Sequence, residues 1–121
     1  MFIQFFGDKM NNLCFQQFKL TLLQENILLL LDKNGTTDLI CKNLNIKLVT
    51  FFKIAQTLTD KKLINDNKLT VLGKKMVHYI NFRNDTILAF LKTHKIKETN
   101  DIKNQMRTLD YKVIIALRNT I

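Results

Sequence analysis

Lys47, Thr50, Lys53, Gln56 and Thr57 recur about three residues apart, so a helix over this stretch gathers ammonium, hydroxyl and carboxamide groups along one side. Ammonium groups suit phosphate oxygens or the acceptor edge of guanine, and a carboxamide matches the donor and acceptor pair of adenine. Thr36, Thr37 and Lys42 lie upstream, where a helix start and its hydroxyls suit a phosphate. Lys68 lies downstream. Together these nine residues are candidates for holding a nucleic-acid backbone and reading base edges. Leu48, Val49 and Phe52 fall near the same side. Such apolar groups meet thymine methyls in an A/T-rich duplex, and they equally suit a protein surface.

Other chemistry finds little support. His78 and His94 stand a helix length apart without His, Cys or carboxylate at ligand spacing, so each reads as a surface or packing residue. Three glycines and ten scattered acids supply no phosphate-cradling loop, Ser/His/Asp set or paired carboxylates. Neither enzymatic activity nor a cofactor or metal site is expected.

The candidate residues need a scaffold, and the segment Glu25 to Lys75 supplies its pattern. A Leu-rich helix runs to Leu31 and closes at Lys33-Asn34-Gly35, where Gly suits the left-handed cap. Thr36, Thr37 or Asp38 then caps a short helix with Ile40 and Leu44 one turn apart. Asn45 and Ile46 make a turn. A third helix runs from Lys47 to about Lys61, with Phe51, Ile54, Ala55 and Leu58 on its core face. Two short helices cannot bury enough surface alone, so the first helix must serve as their floor. Next come two short extended runs, Leu63-Ile64 and Lys68-Leu69-Thr70, around the turn-tolerant Asn65-Asp66-Asn67. Thr70 caps another helix, whose Gly73 permits a close approach. This is a helix-turn-helix followed by a minimal wing, with Asp66 at its tip.

The run DLICKNLNIKLVTFFKIAQTLTDKKLI followed by LTVLGKK resembles bacterial and archaeal winged-helix regulators, over roughly residues 20–75. Continuing through MVHYINFRNDTILAFL and an amphipathic tail, the chain looks like the iron- and manganese-dependent repressors of the diphtheria-toxin-repressor type. That resemblance implies a metal held by carboxylates and His. Glu25 falls at the family's first-helix Glu, but Leu22 stands at its Asp, Asn84 (beside Asp85) at its His, and the region of Met106, Leu109 and Asp110 at its later cluster. Leu and Met cannot replace carboxylate ligands, so the resemblance implies the architecture without the metal switch.

At 121 residues and a net charge of +9, the chain suits one domain and a polyanionic partner. The excess is nearly all Lys in an Asn- and Ile-rich chain, so compositional drift of a solvated surface is the alternative source. The pairs Lys61-Lys62 and Lys74-Lys75 either flank a DNA backbone or are ordinary solvated cations. Cys14 and Cys41 are too few for a disulfide framework or zinc site, and Cys41 reads as a buried free thiol in a reducing compartment. No apolar run approaches a membrane span, and the start MFIQFFGDK makes a poor signal peptide. A cytoplasmic location is expected.

Outside the core, Met10, Leu13, Cys14, Phe15 and Phe18 recur at helical spacing. After it, Met76, Tyr79, Ile80, Ile87, Phe90 and Leu91 mark a long helix; Ile102, Met106, Leu109, Val113 and Leu117 mark a last one, capped by Asn100 or Asp101. Arg83 and Arg107 read as dimer or surface residues. These flanks carry more apolar surface than a small core hides, which points to a homodimer rather than a monomer folded on itself. The fold class expected is mainly α with a small β-hairpin wing: one winged helix-turn-helix domain over residues 1–121, core 20–75, with N- and C-terminal helices for dimerisation. The function expected is sequence-specific binding of double-stranded DNA by a transcriptional repressor. A plasmid- or phage-type partition protein and a protein-interaction module using Leu48, Val49 and Phe52 are the alternatives.

Overall fold

A computed structural model describes residues 18–121. They fall into two compact units, residues 18–78 and 79–121. The described residues are mainly helical, with one two-stranded antiparallel sheet. The helix expected around Met10, Leu13, Cys14 and Phe15 lies outside them. No helix among them is long and apolar enough to cross a membrane.

In the first unit, α1 (Leu22–Asp32) starts in a reciprocal cap. The Gln24 amide donates to Thr21 Oγ1 at 3.1 Å, and the Thr21 amide donates to Gln24 Oε1 at 2.9 Å. Ile27 and Leu28 are fully buried, and Glu25 is buried beside them in sequence. At the far end Asn34, with φ 60°, takes the left-handed position expected of Gly35. Gly35 is needed for space instead: a Cβ there would stand 2.9 Å from the Leu30 oxygen and 3.2 Å from Ile40 Cγ1. Asn tolerates the left-handed region better than most residues, which frees Gly35 for the close approach.

Helix α2 (Thr37–Leu44) begins at Thr36, whose hydroxyl accepts the Leu39 amide at 3.3 Å. It buries Ile40 and ends at Asn45, left-handed at φ 54°, before Ile46 donates back to the Cys41 carbonyl. Cys41 is free and half-buried, rather than enclosed as its position suggested. Helix α3 (Leu48–Asp60) buries Phe51, Ala55 and Leu58 and half-buries Ile54, the side its apolar spacing predicts. Replacing Thr36 by Ala removes the α2 cap, and about 1 kcal/mol of stability should be lost, read as a lower denaturation midpoint at unchanged slope.

Strands β1 (Ile64–Asn65) and β2 (Lys68–Leu69) pair Ile64 with Leu69 and Asn65 with Lys68. Asp66 and Asn67 connect them with φ of 50° and 59°, the two positive values that a tight two-residue hairpin requires. At the start of α4 (Val71–Thr93), Thr70 Oγ1 accepts the Gly73 amide at 3.0 Å and donates to the Lys62 carbonyl at 2.7 Å. A Cβ on Gly73 would collide with the Leu63 carbonyl oxygen. The hairpin is thereby held against the helix that follows it.

The boundary between the units falls within α4. In the second unit α4 buries Tyr79, Ile80, Phe82, Ile87 and Leu91. The single last helix expected is in fact two, α5 (Asn100–Arg107) and α6 (Tyr111–Arg118). Thr99, not Asn100 or Asp101, caps α5 by accepting the Ile102 amide at 3.2 Å. The Thr108 hydroxyl donates back to the Gln105 carbonyl at the break, and Asp110 starts α6. The apolar period from Met106 through Leu109 to Val113 runs straight across this interruption, so spacing alone conceals it. Tyr111 and Ile114 are buried, whereas Val113 is exposed. The Tyr79 and Tyr111 rings lie 5.9 Å apart, and Arg118 stands over the Phe82 ring. Arg83 is buried, contrary to a surface role, and donates from Nε and Nη2 to Asn84 Oδ1. Arg107 is half-buried and donates to Asn104 Oδ1. His78 is exposed, and the His94 ring packs 4.4 Å from that of Phe90.

Candidate nucleic-acid interface

Helix α3 turns its buried side to the first unit's core through Phe51, Ala55 and Leu58, which directs Val49, Lys53, Gln56 and Asp60 outward on the helical repeat. All four are exposed. Lys47, also exposed, stands at the cap position just before the first turn. Between Asp38 and Asp60 the chain carries Lys42, Lys47 and Lys53 and no acid. The start of α3 and the turn before it therefore present positive charge without a local counter-ion. Lys42 is exposed in the last turn of α2, and Lys68 is exposed on β2.

Several of the polar groups expected to read bases are engaged within the protein. Gln56 Nε2 donates to Asp60 Oδ1 at 2.9 Å, one turn further on. Thr57 Oγ1 donates to the Ile54 carbonyl at 2.6 Å and accepts from Gln24 Nε2 at 3.1 Å, tying α3 to α1. Thr50 is half-buried on the same flank of the helix as Thr57. Thr36 serves as the α2 cap, and Thr37 is half-buried. The nine candidates thus separate. Lys42, Lys47, Lys53 and Lys68 present charge to solvent, Gln56 is exposed with its amide nitrogen paired to Asp60, Thr36 and Thr57 bond within the protein, and Thr37 and Thr50 are half-buried.

The apolar residues of the same helix are the converse. Leu48 is 48% exposed, Val49 59% and Phe52 52%, so the first half of α3 offers hydrocarbon between its lysines. The Phe52 ring lies edge-on to the buried Phe51, with centroids 5.8 Å apart, which gives it a fixed support. Leu39 on α2 is exposed as well.

Two further residues, Asp60 and Lys61, have roles that the sequence reading did not give them. Asp60 sets the direction of the Gln56 amide, and the i, i+4 spacing of a carboxamide and a carboxylate was the available signal. Lys61 is the other: its Nζ donates to the Phe18 carbonyl at 2.6 Å, so this lysine holds the chain entering α1. No sequence signal reveals a bond across that separation. Of the two lysine pairs, Lys62 and Lys74 are exposed and Lys75 is half-buried.

No family model, curated protein or solved structure matches this chain. Among the described residues, no three His, Cys, Asp or Glu side chains converge as a metal-ligand group. Glu25 is buried within α1.

Proposed function

We propose that the chain binds double-stranded DNA through the exposed side of α3, as a winged-helix transcriptional regulator. The observation that carries this reading is the acid-free stretch from Leu39 to Thr59, which ends α2, forms the turn and presents Lys47, Val49, Phe52 and Lys53 on an exposed helix. Helices α1, α2 and α3, the paired strands and the start of α4 follow one another in the order that a winged helix requires. Lysine contacts supply affinity without sequence preference, and the first half of α3 supplies the choice of site. Occupying a promoter would make the protein a repressor; covering an array of repeats would make it a partition protein.

Leu88, Ile96, Val113 and Ile121 of the second unit are exposed apolar side chains of the kind a homodimer would bury. A symmetric pair places two α3 helices about one DNA turn apart, roughly 34 Å, and fits an inverted repeat.

Fluorescence anisotropy of a labelled A/T-rich duplex, titrated at increasing salt, tests the reading. Three exposed lysines at or beside α3, Lys42, Lys47 and Lys53, each displacing a counter-ion, predict that log affinity falls against log salt with a slope of about −3 or steeper. Binding that does not respond to salt, or none at low salt, rejects it. The exposed Leu48, Val49 and Phe52 favour a second reading, a protein-interaction module, in which Phe52→Ser abolishes partner binding and Lys53→Glu matters little.

A further inference from the structure

We infer that α3 selects its DNA by packing Leu48, Val49 and Phe52 against the C5-methyl groups of thymine, so that the preferred ligand is an A/T-rich duplex read through its major groove. This rests on the DNA-binding reading above and specifies how sequence is chosen. Two of the polar side chains suited to base-edge hydrogen bonding already hold partners within the protein: Gln56 Nε2 donates to Asp60, and Thr57 bonds Ile54 and Gln24. Thr50 is half-buried on the flank. The side chains that remain exposed along the first half of α3 are three hydrocarbons and Lys53, with Lys47 at the cap.

Their chemistry fits one feature of the groove. Thymine alone among the four bases carries a methyl group on the major-groove edge, and apolar side chains are its natural partners. A hydrocarbon surface this exposed is costly in water and gains on meeting methyls. The shapes are also set in advance. Val49 is β-branched and has essentially one rotamer in a helix, and Phe52 is braced edge-on by Phe51. The lysines at 47 and 53 bracket the patch in sequence, so hydrocarbon and positive charge arrive together, which matches a polyanion whose groove floor is methylated. An acidic amphipathic protein segment is the competing occupant. The patch argues for DNA over it because the acid-free run extends beyond the hydrocarbons into α2, through Lys42.

The experiment needs no altered protein for its main arm. The full chain is titrated against an alternating A/T duplex and the same duplex with every thymine replaced by deoxyuridine, which removes only the methyls. Loss of one methyl contact is worth roughly fourfold, about 0.8 kcal/mol, so two or three contacts predict a loss of at least tenfold with the salt slope unchanged. A G/C duplex should gain affinity when its cytosines carry 5-methyl groups. A Leu48→Ser, Val49→Ser, Phe52→Ser variant, altered only at exposed positions, should bind the thymine and uracil duplexes alike. Equal binding of the two duplexes by the unaltered protein, with steep salt dependence, overturns methyl readout and leaves DNA binding standing. Failure to bind either duplex at low salt overturns both.

Discussion

Replacing Lys47 and Lys53 together by Glu is expected to weaken duplex binding by roughly two orders of magnitude at about 0.1 M salt. The size follows from counter-ion release. Each phosphate neutralised contributes about 0.9 to the slope of log affinity against log salt, close to a factor of eight per contact at that concentration. Two lost contacts give about sixtyfold, and two carboxylates facing phosphate add repulsion. The same variant should show a slope shallower by about 2. Its stability should change little, since both side chains are exposed and neither is an ion-pair partner in the described structure. A control at Lys95, exposed in the other unit, should bind as the unaltered chain does. If Lys47→Glu, Lys53→Glu binds with wild-type affinity and slope while remaining folded, α3 does not face DNA.

Gly73→Ala should destabilise the protein by about 3 kcal/mol, near the upper end of ordinary overpacking. Helix propensity alone predicts the opposite, because Ala in place of Gly within a helix gains up to about 1 kcal/mol. The collision decides the sign. The added Cβ would meet the Leu63 carbonyl, which is backbone and already accepts the Thr70 amide at 3.1 Å, so it has little freedom to withdraw. Urea unfolding followed by circular dichroism distinguishes the two signs, and a midpoint raised by the substitution would remove the close approach as an explanation for Gly73. Gly35→Ala should cost less, because its added Cβ is less crowded, though the Leu30 oxygen and Ile40 must still give way.

Much of the local punctuation was legible in the sequence because it acts over three or four residues, although Asn34 rather than Gly35 took the left-handed position and Thr99 rather than Asn100 or Asp101 the α5 cap. Thr36 and Thr70 cap helices, Asn45 turns the chain, and Asp66-Asn67 makes the hairpin, each through its own neighbours' backbone. The buried side of α3 was legible for the same reason: Phe51, Ala55 and Leu58 repeat with the helix. What lay hidden depends on distant partners. Thr57 reads as a polar face residue until α1, which precedes it by more than thirty positions, brings Gln24 against it. Lys61 reads as half of a surface pair until the Phe18 carbonyl arrives. The break between α5 and α6 was hidden differently, since its apolar spacing continues unbroken while the hydrogen bonding does not. At the candidate interface the lysines were visible as charges, but the internal partners of Gln56 and Thr57 were not.

The hairpin has two residues in each strand, too few to persist alone in water. It is held from both ends: the Leu63 amide donates to the Leu58 carbonyl of α3, the Thr70 amide donates to Leu63, and the Thr70 hydroxyl donates to Lys62 while capping α4. Releasing either strand means losing the last turn of one helix or the first turn of another. The hairpin therefore has no private opening motion at low cost. The amides paired between its strands should therefore exchange together with those of the helix ends on either side.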